Sequence, residues 1–210
     1  MTPIEIKLPA LYPAQHAALY ADARYIVVEG STKSGKTQGC IVWQMGHVLG
    51  SVGVHWWIAP VYAQAKIAFR RVLKLLPRAA VARSAETTLE IELVNGSFWQ
   101  FKSAEKPDNL YGEDVRSIVF DEASRAREES FIAARSTLTA TGGPMCLIGN
   151  VRGRHNFHYK LARKAQAGEP GYHFARLTAY DAVDGGVISL AEVEDAKAIY
   201  PDHVFRELYM

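Results

Sequence analysis

The sequence predicts an α/β fold: a largely parallel, twisted sheet with helices on both faces and an antiparallel hairpin at its edge. Three observations lead there. Apolar, β-branched or aromatic runs (Tyr25 to Val28, His55 to Pro60, Ser117 to Phe120, Met145 to Gly149, Tyr172 to Leu177) alternate with segments of helical periodicity, the pattern of strand-helix-strand crossovers. The first run leads into Gly30-Ser31-Thr32-Lys33-Ser34-Gly35-Lys36-Thr37, a complete G-x-x-x-x-G-K-[ST] loop. Thr88 to Val94 and Ser97 to Phe101 read as two alternating strands joined by Asn95-Gly96, a two-residue turn. At 210 residues the chain can bury the core of one large domain, taken here as 1–210.

Element by element, Pro9 to Ala23 supplies a short helix with Leu11, Tyr12, Gln15 and Leu19 on one side and Pro13 in its first turn. In the Gly-Lys loop the glycines let the backbone wrap around a β-phosphate, with the N–H groups of Gly30 to Gly35 turned inward and the start of the next helix adding its positive end. Lys36 then reaches the β- and γ-phosphates and Thr37 offers a hydroxyl to Mg²⁺. The helix that follows, Gln38 to Leu49, places Ile41, Val42, Met45, Val48 and Leu49 at helical spacing; Tyr62 to Leu76 does the same with Ala65, Phe69, Val72, Leu73 and Leu76. In the hairpin, Trp99 and Phe101 share one face as packing material, with Phe98 and Gln100 on the other. Helices are predicted over Ser124 to Leu138, Asn156 to Ala167 and Leu190 to Ile199.

The second chemical signal is Asp121-Glu122 at the carboxyl end of the apolar run Ser117 to Phe120, where open α/β sheets bind ligands. In isolation such a pair is a strand running into a helix start. After a phosphate loop it reads as catalytic, with Asp121 orienting the Mg²⁺ shell and Glu122 aligning water or taking its proton. Asn150, beyond the next strand, has two readings: a hydrogen bond to the γ-phosphate or attacking water, or an ordinary turn or cap residue. The sequence lacks the spaced motifs of a protein kinase and any His/Cys zinc pattern. ATP and Mg²⁺ are therefore the expected ligands, and hydrolysis the expected reaction.

Composition constrains partners weakly. A net charge of +2 does not mark a nucleic-acid binder, although Arg152, Arg154, His158, Lys160, Arg163 and Lys164 gather in a short interval that reads either as a solvated helical face or as a DNA contact. Cys40 and Cys146 have apolar neighbours and no metal-ligand spacing, the pattern of buried thiols in a reducing compartment. No secretory run and no bilayer-spanning stretch stands in the sequence, so a cytoplasmic protein is expected.

With these motifs in order, the chain resembles the ATPase portion of large terminase subunits, the motors that package double-stranded DNA into the preformed heads of tailed bacteriophages. The likeness rests on Leu11-Tyr12-Pro13-x-Gln15, the loop Gly30 to Thr37, Phe120-Asp121-Glu122-Ala123, Ile148-Gly149-Asn150, the stretch from Gly153 to Leu161, and Tyr200-Pro201 followed by Phe205 to Tyr209. It implies a P-loop NTPase of the RecA-like (ASCE) type. It also implies ATP hydrolysis that drives DNA translocation, a homo-oligomeric ring on the portal, a small terminase partner, no membrane, and the cytoplasm of an infected bacterium.

By the same resemblance, residues 1–24 form an adenine-binding segment in which Tyr12 and Gln15 recognise the nucleobase, Asn150 is a coupling residue, and about 180–210 lead toward an RNase-H-like nuclease domain that the chain does not include, so DNA cleavage is not expected. Two positions depart from the family pattern. Leu110-Tyr111-Gly112 stands where the family has Leu-Arg-Gly, leaving Arg116 as the nearest charge-completing residue unless its role is structural, and Lys33 stands where an arginine is common. The competing functions are a helicase-like or other nucleic-acid-dependent ATPase, and a nucleotide-binding assembly module with little turnover.

Overall fold

The computed structural model describes residues 4–210; the first three residues of the expected N-terminal segment lie outside it. Its strands are β1 (Tyr25–Gly30), β2 (Val54–Ala59), β3 (Val81–Ala85), β4 (Glu90–Leu93), β5 (Phe98–Ser103), β6 (Val115–Phe120), β7 (Met145–Gly149) and β8 (Tyr172–Leu177). Its helices are α1 (Pro13–Leu19), α2 (Lys36–Gly50), α3 (Tyr62–Leu75), α4 (Glu128–Ser136), α5 (Phe157–Gln166), α6 (Ala179–Asp184), α7 (Leu190–Ile199) and α8 (Asp202–Tyr209).

One sheet runs in the order β3-β4-β5-β2-β6-β7-β1-β8, parallel from β5 to β8 and antiparallel at the β3-β4-β5 edge. The phosphate-loop strand β1 is separated from the acidic strand β6 by β7, the RecA-like arrangement. Register fixes what this means for the site. Met145 of β7 pairs with Tyr25 of β1 and with Ile118 of β6, so β1 and β7 start level, β6 starts three residues earlier, and all three run out toward one edge. Loop 30–37, Asp121-Glu122 and Asn150 therefore emerge side by side, at the carboxyl ends where such sheets bind ligands.

The central strands are buried on both faces, which is why they read as unbroken apolar runs. Ile26, Val28, Trp57, Val119, Cys146 and Ile148 face one layer of core, while Val27, Trp56, Ile58, Ile118, Phe120 and Leu147 face the other with Phe157 of α5. Trp99 and Phe101 are buried as expected, and Trp99 Nε1 donates to Gln44 Oε1 at 3.0 Å, so its polar edge is satisfied inside. A separate small cluster of Ala179, Val193, Ala196 and Phe205 holds α6, α7 and α8 together.

Three features differ from expectation. The hairpin gains an outer strand, β3, whose Ala82, Arg83 and Ser84 are exposed and so carry no apolar alternation to read. The helix expected over Ser124 to Leu138 is interrupted: a 3-10 turn spans Ala123–Arg125, Ala126 and Arg127 are extended, and α4 begins at Glu128. The C-terminal region adds α6, announced by the capping pair Thr178 and Asp181, and α8.

Candidate nucleotide site

The loop after β1 is shaped by its own sequence. Gly35 adopts φ 73°, natural for glycine, and Lys33 adopts φ 59°. A Cβ at Gly30 would lie 2.8 Å from Lys36 Cδ, so glycine there lets the lysine stem pack close to the strand end. Lys36 folds back over the loop, its Nζ donating to the Ser31 carbonyl at 3.1 Å and standing 3.9 Å from Glu122 Oε1. Ser34 Oγ donates to the same Ser31 carbonyl at 2.8 Å. Ser31 N–H donates to Leu177 of β8 at 2.7 Å and Thr32 N–H to the Leu208 carbonyl of α8 at 2.6 Å. Thr37, within the first turn of α2, is half-buried beside Lys36.

The acidic pair is equally constrained. Glu122 adopts φ 48° and ψ 40°, a left-handed conformation disfavoured for a residue with a Cβ and characteristic of functional turns. This bend brings its carboxylate toward Lys36, while its N–H donates to Asp121 Oδ1 at 3.0 Å. Burial lowers the Lys36 pKa, against the opposing pull of Glu122 and Asp121. Burial, reinforced by the Glu122 charge, pushes Asp121 up to about 7, even though Lys36 draws it down. Asp121 and Thr37 offer hard oxygen donors. Mg²⁺ takes one or two protein oxygens and fills its shell with phosphate and water, so a carboxylate and a hydroxyl suit it by their chemistry.

Asn150, at the end of β7, has its Oδ1 buried without a hydrogen-bond partner and shares a cavity of about 330 Å³ with Glu122. The structure thus gathers Gly30 to Thr37, Asp121, Glu122 and Asn150 along one edge.

One expected site residue, Arg116, lies away from the others. Arg116 is the second residue of β6, exposed, with its side chain against Gly53 ahead of β2. Because the strands are parallel, it lies at the opposite edge from the loop, roughly 15 Å along β6 from Asp121. It cannot complete the site of its own chain, and Tyr111 is an exposed loop residue. Tyr12 and Gln15 meet the loop directly. Tyr12 Oη donates to the Ser34 carbonyl at 2.6 Å, Gln15 Nε2 donates to the Gly35 carbonyl at 2.9 Å, and Gln15 Oε1 accepts the Tyr12 N–H at 3.2 Å. Burial, with Asp181 nearby, raises the Tyr12 phenol to about 12, so it remains a donor. Only 8% and 4% of these residues are exposed, and their polar atoms brace the loop.

The gathered basic residues also divide. His158 is buried, Arg163 and Arg176 both pair with buried Glu29, Lys160 pairs with Glu128 and Lys164 with Glu169. Arg152 and Arg154 remain exposed. Sequence reasoning missed Arg71 of α3, which lines a cavity of about 320 Å³ with Lys33, Lys36 and Thr37. It missed Glu29 as well. Neither belongs to a local motif. Cys40 and Cys146 are buried as expected, and unexpectedly adjacent, with 3.6 Å between their sulfurs.

Neither a protein-family model nor a curated protein sequence matches the chain. Solved structures do. The large terminase ATPase domain of Thermus phage P74-26 is similar with a TM-score of 0.82 and 22% identity, over 95% of this chain and 92% of that one. The large terminase of a second, thermophilic bacteriophage, in complex with ADP, has a TM-score of 0.77 and 15% identity over 95% of this chain and 52% of that one, so this chain spans about half of that protein. The Hef helicase domain of Pyrococcus furiosus is more distant, at a TM-score of 0.57 and 16% identity over 81% of this chain and 39% of that one. The fold of this chain is that of phage large terminase ATPase domains.

Proposed function

We propose that this chain is a Mg²⁺-dependent ATPase, the hydrolytic module of a motor that translocates double-stranded viral DNA into a prohead. The observation that carries the reading is the convergence of Lys36, Asp121, Glu122 and Asn150 at the carboxyl edge of β1, β6 and β7, on a fold shared with terminase ATPase domains. Backbone N–H groups of the loop and the Lys36 ammonium would hold the triphosphate, and Thr37 and Asp121 would hold Mg²⁺. When bound, the ion neutralises charge shared between the β- and γ-phosphates. Glu122 accepts a proton from water as the water oxygen bonds to the γ-phosphorus and the bond to the bridging oxygen breaks, giving ADP and phosphate. Asn150 hydrogen-bonds the γ-phosphate or the water and passes its loss to the strand behind it.

Action as a ring on a portal, recruitment by a small terminase subunit, and the cytoplasm of an infected bacterium belong to this reading. Among the described residues no helix is long and apolar enough to cross a membrane. A helicase-like activity is the second reading, favoured only by the Hef likeness, which covers less of the chain at a lower score. Steady-state ATP hydrolysis, measured with and without double-stranded DNA and Mg²⁺, is the test. Mg²⁺-dependent turnover that Lys36→Ala abolishes is the expected result; its absence from the parent in both conditions rejects the assignment.

A further inference from the structure

The cavity that Glu122 shares with Asn150 is also lined by Ser124, Arg125, Arg152 and Glu207, none of which the mechanism above uses. Two of its polar groups have no partner. Ser124 is 7% exposed, yet its buried Oγ has no hydrogen-bond partner, and the Asn150 Oδ1 is in the same condition. An orphaned buried polar atom costs stability and asks for an explanation, of which a ligand is one. Among the described residues neither the Arg125 nor the Arg152 guanidinium has a carboxylate within 4.0 Å. Two cations without partners and one unpaired hydroxyl, which can donate to an anion, thus line one space.

The backbone holds these groups in place. The 3-10 turn Ala123–Arg125 presses directly on the end of β7: a Cβ at Gly149 would lie 3.1 Å from Ser124 Oγ and 3.2 Å from the Ser124 nitrogen, so glycine is what permits the contact. Arg125 N–H donates to the Glu122 carbonyl at 2.9 Å, and Ser124 and Arg125 are therefore fixed relative to Glu122.

We propose that this cavity is a phosphoryl subsite, in which the Ser124 hydroxyl donates a hydrogen bond and Arg125 and Arg152 supply charge to a tetrahedral phosphoryl oxygen cluster. The inference rests on the ATPase reading, since the group it receives is either the γ-phosphate of bound nucleotide or inorganic phosphate after hydrolysis. Guanidinium forks suit such oxygens. The lining charges balance, Arg125 and Arg152 against Glu122 and Glu207, with Lys36 standing 3.9 Å from Glu122. Glu207 is the opposing element. It comes from α8, whose Leu208 carbonyl already holds the Thr32 N–H, and its charge works against an anion in the cavity.

Direct binding to the full chain tests this without relying on turnover. Titrations with inorganic phosphate in the presence of ADP, with ADP alone and with ATPγS are compared for the parent, Ser124→Ala, Arg152→Ala, Arg152→Lys and Glu207→Gln. Ser124→Ala removes only a hydroxyl, and thermal melting checks that each variant folds. The expected result is a loss of about 10-fold or more in affinity for phosphate, for ATPγS relative to ADP, or for both, in Ser124→Ala and Arg152→Ala, with ADP binding unchanged. Arg152→Lys should recover part of the loss, and Glu207→Gln should tighten the same ligand. A loss confined to ATPγS identifies the γ-phosphate as the source, and one confined to inorganic phosphate identifies the product. Parental affinities for both in folded Ser124→Ala and Arg152→Ala overturn the subsite. If the parent binds these ligands but shows no Mg²⁺-dependent hydrolysis, the ATPase reading fails while the subsite stands.

Discussion

Glu122 occupies a backbone conformation that favours glycine, and this strain is what turns its carboxylate toward Lys36, 3.9 Å away. Glu122→Gln keeps the side-chain shape and removes the base. Hydrolysis should fall about 10²-fold or more with ATP binding retained, measured as steady-state turnover beside equilibrium titration. An unchanged rate would assign the base elsewhere. Gln15 leads to a different expectation than its sequence context suggests, because its amide bonds the Gly35 carbonyl and the Tyr12 N–H. Gln15→Ala should therefore weaken ATP and GTP together, by about 5- to 10-fold from the loss of one or two hydrogen bonds, through a loosened loop. A changed ATP-to-GTP affinity ratio would instead restore nucleobase reading. That Lys36, Asp121, Glu122 and Asn150 converge could be read because each lies in a short contiguous motif that follows a strand. Arg116 misled because nearness in sequence to Asp121 conceals the length of a strand between them, and the partner of Gln15 is a loop residue twenty positions away.

At the scale of elements, the alternation of strands and helices was readable wherever a strand is buried on both faces, and the Asn95-Gly96 turn marked the hairpin. Strand β3 was silent because its exposed residues carry no pattern, and at the break before α4 the 3-10 turn packs on Gly149, a tertiary contact that local periodicity does not report. A second such contact joins the phosphate loop to the elements around it. Glu29, the residue before Gly30, has a side chain 3% exposed and accepts from Arg163 of α5 at 2.9 Å through both oxygens and from Arg176 of β8 at 3.0 Å. A buried carboxylate stripped of a partner is costly, whereas the pair itself adds little net stability. Arg163 also packs its guanidinium over the Tyr159 and Phe174 rings. Arg163→Met, which keeps the stem and removes the charge, should cost about 1–3 kcal/mol in urea unfolding, since Arg176 still satisfies one oxygen. Glu29→Gln combined with Arg163→Met should cost less than the two changes summed; strict additivity would mean that the ion pair does not join these elements.

For the whole molecule, two buried histidines tie stability to pH. His55, on β2, meets Ser117 Oγ of β6 at 2.8 Å and the Ser51 carbonyl at 2.9 Å. Burial first, then the nearby His47 and Arg116 charges, press its pKa down to about 4 against the Ser51 bond. His158 of α5 is pressed to about 4 chiefly by burial; Arg163 adds to this, while Glu29 and the Val28 and Leu147 backbone oppose it. Both rings are neutral in the fold and take protons near 6.5 once unfolded. Their full stabilising share is present above about pH 6.5 and is lost as pH falls toward 4, by on the order of 1–2 kcal/mol each between pH 7 and pH 5. Asp121, raised to about 7, shifts stability the opposite way over the same interval, so the histidine share has to be read from variants and not from the parent alone. Urea unfolding of the parent, His55→Gln and His158→Gln at pH 7 and pH 5 isolates it: each variant should lose less stability on acidification than the parent, by about the amount given for one ring. Equal losses in all three proteins would mean that both histidines protonate freely inside the fold.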